Sequence, residues 1–236
     1  MKSIRRILVK FSGLLGLFGL SACSNQTAPA VSRPREELVD RLAAAAEPSV
    51  LFVGNSYSFG VPREFSRLAA ARGKKIRTGH STYGGWTLAR HAANEATLNK
   101  IRSGKWDAVV FQEQSEIPAM PARKRRALMD QPLRKLVAEA RGQGAVPVLY
   151  QTWGRREGDA KLRNDDFHAM TARLREGYRE AAESCGGVVV VPAGDAWERE
   201  VNAGRGADLF MADGSHPTPL GNQVTAGAFA EAFFGK

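Results

Sequence analysis

Short segments with strand-forming patterns alternate with longer segments of helical periodicity along this chain. Five segments are predicted as strands, at residues 49–53, 75–80, 106–111, 145–151 and 187–191. Helices are predicted around them, at residues 36–46, 60–72, 86–101, 165–184, in a long basic region that ends near 141, and after Pro217. This alternation predicts one α/β domain, a three-layer α/β/α sandwich around a mostly parallel five-stranded sheet.

The first predicted strand stops abruptly at Gly54, which is followed by Asn55 and Ser56. A glycine at this point allows a sharp turn from a strand into a helix. Such a turn would expose the Ser56 hydroxyl and place its backbone N–H among the free donors of a helix N-terminus. We interpret Ser56 as a candidate nucleophile, although the same three residues also occur as a plain turn with a helix cap.

A second candidate group lies 160 residues later, where Asp213 precedes His216 by three positions at the start of the last predicted helix. An aspartate at this spacing can hold the imidazole through Nδ1 and leave Nε2 free for a serine hydroxyl. His80 and His91 are the other histidines that could line a cleft, but neither has an aspartate at a suitable local spacing.

Together, the Gly-x-Ser after the first strand and the Asp-x-x-His before the last helix resemble the SGNH (GDSL-type) hydrolases, from about Val50 to the C-terminus. The usual Gly-Asp-Ser block of that family is Gly-Asn-Ser here, a departure that spares the nucleophile. The resemblance implies a flavodoxin-like fold, a catalytic triad of Ser56, Asp213 and His216, and no metal or nucleotide cofactor.

The resemblance also implies an oxyanion hole. Its backbone donors would be the N–H groups of Ser56 and of Gly85, with Gly84 as the alternative to Gly85. The Gly-x-Asn-Asp block that supplies an asparagine donor in the family is absent, and Gln-Glu-Gln-Ser follows the third strand instead. Gln114 aligns with the asparagine, whereas Gln112 matches a Phe-Gln-x-x-Ser pattern of a divergent branch, so both glutamines stay candidates and Gln112 is slightly favoured.

The substrate is the least constrained part of the interpretation. Trp86 and Trp153 follow the second and fourth strands and are predicted to flank the cleft with flat surfaces of the kind that sugars stack on. We therefore expect a serine esterase that removes short acyl groups, chiefly acetyl, from a carbohydrate. The alternatives are a glycan-binding surface lipoprotein without catalytic activity, or a lipase or thioesterase for long chains.

The N-terminal residues predict export. A basic start and an apolar segment ending in Leu-Ser-Ala-Cys resemble the signal peptide and lipobox of bacterial lipoproteins. The expected organisation is a signal peptide at 1–22, a lipidated Cys23 and flexible tether at 23–35, and the hydrolase-like domain at 36–236. This arrangement predicts a lipoprotein held in the cell membrane or outer membrane, facing the periplasm or the exterior.

Charge and cysteine content narrow the choice of partners. The formal net charge is +10, and removing four basic residues with the signal peptide lowers it to +6 (10 − 4 = 6). A basic run, Arg123-Lys124-Arg125-Arg126, is predicted to be the solvated face of a helix. No nucleic-acid motif accompanies it, so an anionic glycan or lipid headgroup is the expected partner. Cys185 has no predicted disulfide partner, and the sequence predicts no oligomeric state.

Overall fold

The computed structural model describes residues 34–235, so the predictions for the signal peptide, Cys23 and most of the tether lie outside the described residues. Its strands are β1 (Ser49–Gly54), β2 (Arg77–Thr82), β3 (Ala108–Phe111), β4 (Val146–Gln151) and β5 (Val189–Pro192). Its helices are α1 (Pro34–Ala44), α2 (Val61–Ala71), α3 (Leu88–Ala92), α4 (Glu95–Ser103), α5 (Ala122–Arg125), α6 (Gln131–Gly142), α7 (Phe167–Ser184), α8 (Ala193–Asn202) and α9 (Pro219–Phe234). None of the helices within this range is long and apolar enough to cross a bilayer.

The five strands form one parallel sheet in the order β2-β1-β3-β4-β5. The chain therefore starts near the middle, moves to one edge and then crosses to the other edge. This order places the carboxyl ends of β1, β2 and β3 side by side, and ligands of open α/β sheets bind at such ends. The predicted fold class is confirmed.

Alternate residues of each strand pack into two separate hydrophobic cores, one on each face of the sheet, because side chains alternate along a strand. Phe52 of β1 packs in one core with α1, α2, α8 and α9, where its ring lies 5.3 Å from that of Phe229. Leu51 and Val53 point to the opposite core, which α3, α4, α6 and α7 cover. Because both faces are covered, β1, β3 and β4 are buried along their whole length.

Strand β2 begins and ends two residues later than predicted, and the long helix predicted at 86–101 is two helices. The β2 sequence Arg-Thr-Gly-His-Ser-Thr is polar and partly exposed at the sheet edge, so no apolar run marks its limits. The helix breaks before Asn94, whose side chain accepts a hydrogen bond from the Thr97 N–H and caps α4. That local bond competes with continuation of α3.

The long basic helical region is also interrupted. A π-helical turn at Arg126–Asp130 separates α5 from α6. It ends just before Pro132, which has no N–H to donate back into the preceding turn. At the far end of α7, Cys185 caps the helix and is buried.

The basic run at the α5 end is not uniformly solvated, and the prediction for Arg125 is wrong. Its neighbours Arg123, Lys124 and Arg126 are exposed, but the Arg125 side chain is 4% exposed. Its guanidinium contacts the Glu180 carboxylate, and its Nε lies 3.5 Å from Oδ1 of the buried Asp130. The charge pattern alone could not distinguish this arginine because its carboxylate partners come from another helix and from the π turn.

Arg125→Ala is expected to lower the free energy of unfolding by about 3–5 kcal/mol, because it leaves the buried Asp130 carboxylate without its cation. The matched variant Arg126→Ala removes the same charge from an exposed neighbour and is expected to change stability by less than about 0.5 kcal/mol. Urea denaturation followed by circular dichroism measures both. Equal losses in the two variants would contradict the buried ion-pair assignment.

Candidate active site

The turn after β1 positions Ser56. Ser56–Ser58 form a single 3₁₀ turn, and Asn55 caps it by accepting a hydrogen bond from the Tyr57 N–H at 3.2 Å. A Cβ on Gly54 would lie 2.6 Å from Gln112 Oε1. The φ of Gly54 is not positive. Glycine is therefore required at position 54 because a side chain would clash with Gln112, and not because of an unusual backbone torsion.

Asn55 also joins this turn to both neighbouring strands. Its side-chain Nδ2 donates to the carbonyl oxygen of Trp86, in the loop after β2, at 3.0 Å. Its backbone N–H donates to the side-chain oxygen of Gln112, at the end of β3, at 2.9 Å. An aspartate at this position has no N–H to give to the Trp86 carbonyl. The Asn in the Gly-Asn-Ser block therefore has a structural reason in this chain.

The structure brings the three predicted triad side chains together. Ser56 Oγ lies 2.9 Å from His216 Nε2, and His216 Nδ1 lies 2.6 Å from Asp213 Oδ2. Because an ionised carboxylate only accepts, the proton of the imidazole is assigned to Nδ1, which leaves the Nε2 lone pair facing the serine hydroxyl. Ser56 and His216 are both partly exposed, so a substrate can reach them.

Asp213 is held as an anion by hydrogen bonds. Desolvation raises the pKa of its carboxyl, but hydrogen bonds outweigh this and lower the pKa to about 2. They come from the His216 ring and from the backbone N–H groups of His216 and Ser215, which donate to Oδ1 at 3.0 and 2.9 Å. Asp213 is therefore ionised at neutral pH.

An aromatic stack supports the loop that carries His216. The Tyr57 ring packs edge-to-face on the imidazole and stacks on Trp153 at 4.8 Å, and Trp153 stacks on Trp197 at 3.7 Å. Hydrogen bonds fix the same loop: Tyr57 Oη to Ser215 Oγ at 2.5 Å, and Trp153 Nε1 to the Ser215 carbonyl at 3.1 Å. Trp153 is 0% exposed, so its prediction as a substrate-binding wall is wrong.

Trp86 is the predicted aromatic residue that stays accessible. It is partly exposed, stacks on the exposed Tyr83 at 4.2 Å, and has the Arg90 guanidinium 4.8 Å from its ring centre. Both aromatic rings flank Gly85. Tyr83 and Trp86 therefore form a stacked aromatic pair in the loop that Asn55 bonds to the nucleophile turn.

His91 has a structural position below the nucleophile turn. Its Nε2–H donates to the Gly54 carbonyl at 2.9 Å, and its Nδ1 accepts from the Thr97 hydroxyl at 3.1 Å. Burial lowers the pKa of His91, although its bond to the Gly54 carbonyl opposes this change. A neutral, fully bonded histidine braces the end of β1 and is separate from the triad.

Two backbone N–H groups are available as oxyanion donors. Gly85 adopts φ +68°, a left-handed conformation that favours glycine, and it is exposed. Within residues 34–235, neither the Gly85 N–H nor the Ser56 N–H donates to a protein acceptor. Both groups were predicted as donors to the oxyanion.

The structure argues against Gln112, the slightly favoured side-chain donor. Gln112 is completely buried; its oxygen accepts from the Asn55 N–H and from the Ser58 hydroxyl, and its amide NH₂ donates to the Glu113 carbonyl. It fixes the nucleophile turn and has no access to a substrate. Gln114 is partly exposed, and its Nε2 makes only a long 3.3 Å contact with Ser115 Oγ. Of the two glutamines, only Gln114 can present its amide to the cleft.

Glu113, between these glutamines, is a feature that the sequence interpretation missed. Its Oε1 accepts from the backbone N–H groups of Gln114 and Leu88 at 2.6 and 3.1 Å, but its buried Oε2 has no partner within the described residues. Burial raises the pKa of the Glu113 carboxyl to about 8, although the two N–H groups act to lower it. An acidic residue two positions after a fully apolar strand was the signal for such a group.

No family model and no curated protein matches this chain, but solved structures do. A proposed SGNH hydrolase from Slackia heliotrinireducens is 29% identical, with a TM-score of 0.63, over 79% of this chain and 98% of that one. A DUF4886 family protein from Bacteroides uniformis is 21% identical, with a TM-score of 0.71, over 80% and 84%. The acetylxylan esterase Axe2 from Geobacillus stearothermophilus is 18% identical, with a TM-score of 0.60, over 79% and 94%. The described domain therefore has the fold of SGNH hydrolases and esterases.

The Glu113 carboxyl is expected to make stability fall as pH rises. A folded-state pKa of about 8, against an ordinary value of 4.5, means that the folded protein binds the proton more tightly than the unfolded chain does. Between pH 6 and pH 9 the wild-type protein should therefore lose about 2–3 kcal/mol from this group. Glu113→Gln cannot titrate, and any cost of its buried NH₂ is independent of pH.

Urea denaturation of both proteins at several pH values tests this expectation. Other titrating groups are shared, so the wild-type minus variant difference isolates Glu113. A difference that stays constant from pH 6 to pH 9 would show that Glu113 is ionised throughout that range.

Proposed function

We propose that this protein is a serine carboxylesterase that removes short acyl groups, chiefly acetyl, from carbohydrate. The observation that carries the proposal is the continuous contact from Ser56 Oγ to His216 Nε2 at 2.9 Å and from Nδ1 to Asp213 at 2.6 Å. A serine and a base within hydrogen-bond reach, with the base oriented by a third group, are what nucleophilic acyl transfer requires.

In the first half-reaction, Ser56 Oγ forms a bond to the ester carbonyl carbon while its proton moves to His216 Nε2. The tetrahedral intermediate then breaks the bond to the alcohol oxygen, which takes the proton from Nε2 as it leaves. Asp213 stays ionised and stabilises the transient imidazolium. In the second half-reaction, His216 takes a proton from water, the hydroxide attacks the acyl-serine, and Ser56 regains its proton as the carboxylic acid leaves.

Oxyanion stabilisation comes from donors that are already in position. The unpaired N–H groups of Ser56 and Gly85 are the backbone donors, and the Gln114 amide is the proposed side-chain donor. The Asn55 bond to the Trp86 carbonyl holds the Gly85 loop beside the nucleophile turn.

A carbohydrate substrate is supported by the stacked aromatic pair of Tyr83 and Trp86 next to Gly85. Aromatic faces beside a few polar groups are typical of sites that bind amphipathic ligands such as sugar rings. The acetylxylan esterase that shares this fold acts on an acetylated polysaccharide, the substrate class proposed here. The exported location predicted from the N-terminal sequence would bring such glycans within reach.

Ser56→Ala is expected to lower the turnover of p-nitrophenyl acetate by about 10³-fold or more, because it removes the nucleophile. It should also abolish labelling by a fluorophosphonate probe while leaving the melting temperature within about two degrees. Ser103→Ala removes an exposed hydroxyl at the end of α4 and is the matched control, with unchanged activity and labelling. Full labelling of Ser56→Ala would place the nucleophile at another residue.

The acyl preference is expected to favour short chains. Among p-nitrophenyl esters from acetate to palmitate, kcat/KM should be highest for acetate or propionate, and acetylated oligosaccharides should release acetate. A maximum beyond octanoate with no release of acetate would instead support the long-chain lipase or thioesterase alternative, with the same triad.

A further inference from the structure

The edge strand β2 presents an unusual polar face to helix α2. Residues 78, 80 and 82 alternate with residues that point to the other side of the sheet, as a strand requires. On the far side, Ser81 is buried against Thr97. On the α2 side, the three residues are Thr78, His80 and Thr82, and each is at least partly exposed. The residues of β1 that face the same side are apolar and buried.

This polar face forms one wall of an open groove with a volume of about 630 Å³. The opposite wall comes from Phe59, Arg63 and Ser66, in the segment that leads into α2 and on its first turns. Ser66 Oγ and Thr78 Oγ1 meet at 3.2 Å and close the floor at one end. The volume is within the range of small-ligand sites, about 300–1,000 Å³.

The groove starts beside the nucleophile. Thr82 is paired with Gly54 in the sheet, two residues before Ser56, and Phe59 directly follows the Ser56–Ser58 turn. From Thr82 to Thr78 the strand runs four residues, about 13 Å, away from the catalytic edge. A linear ligand whose ester lies at Ser56 could therefore extend along β2 without turning into the core.

The groove has an aromatic platform and an excess of positive charge. Phe59 is 59% exposed and lines the groove, and small-ligand sites are commonly lined by aromatic side chains. Arg63 has only a 3.5 Å contact with Glu64, a carboxylate that Arg67 binds at 2.9 Å. The guanidinium of Arg63 is thus free to bind a carboxylate in the groove.

We propose that this groove binds the chain of an oligosaccharide that carries carboxylate groups. Phe59 stacks on a sugar ring, the hydroxyls of Ser66, Thr78 and Thr82 and the imidazole of His80 bind sugar hydroxyls, and Arg63 binds a carboxylate. The proposal deepens the proposed function, because it names an acidic glycan as the acetylated substrate. Binding of a glycan in the groove does not depend on hydrolysis of the ester.

Isothermal titration calorimetry of the wild-type protein with two tetrasaccharides tests this proposal. One is a β-linked glucuronate tetramer and the other is cellotetraose, which differs only in carrying CH₂OH in place of each carboxylate. The glucuronate tetramer is expected to bind about tenfold more tightly or better, as for a charge-assisted hydrogen bond, and its affinity should fall with added salt. Arg63→Ala should remove most of that preference, and Phe59→Ala should weaken both ligands.

Arg126→Ala is the matched control, because it removes an exposed arginine from the opposite layer of the fold. It should leave the affinity for the glucuronate tetramer unchanged. Equal binding of the two tetrasaccharides, equal losses in Arg63→Ala and Arg126→Ala, or no binding of either ligand would overturn the proposal. Neither tetrasaccharide contains an ester, so failure of binding and failure of esterase activity are separate results.

Discussion

Three hydrogen bonds of Asn55 hold the candidate active site together. The carboxyl ends of β1, β2 and β3 are neighbours in the sheet, and the last backbone hydrogen bonds there run from Tyr83 to Gly54 and from Gln112 to Val53. Asn55 continues the connection by donating to the loop after β2 and to the side chain at the end of β3, while its Oδ1 caps its own turn. The bond to the Trp86 carbonyl of the glycine loop requires a donor at position 55, since a carboxylate could accept but not donate.

The other side of the site depends on stacked rings. His216 is on a loop with little regular structure, and Tyr57, Trp153 and Trp197 form a continuous stack behind it. The stack reaches from the nucleophile turn to helix α8. The Ser56 turn and the His216 loop therefore pack against the same cluster of rings. Hydrogen bonds from Tyr57 and Trp153 to Ser215 fix the position of the loop that carries His216. Pre-organisation of this kind is what makes a weak nucleophile effective.

The sheet and each half of the triad could be predicted from sequence because their signals are local, and the family resemblance joined the two halves. Apolar runs define strands, and the Asp-x-x-His spacing brings a carboxylate to an imidazole within one turn. Gln112 and Trp153 could not be placed in this way. Gln112 points into the core because a backbone N–H that follows another strand needs a partner, and the sequence does not show this need. Trp153 is buried by an aromatic stack whose members come from distant segments of the chain. The limits of β2 were missed for a related reason, because a polar edge strand has no apolar pattern to mark its ends.

The two halves of the triad are 160 residues apart in the chain, and this separation has a consequence for folding. Helix α2, which follows the nucleophile turn, packs on α9, where Phe65 meets Phe229 and Phe233 at 6.0 and 5.3 Å. Such long-range contacts are slow to form because closing a long loop costs chain entropy. A ribosome-bound chain that has not yet released α9 therefore has the serine but no base to activate it, and the reactive centre is completed only with the last helix.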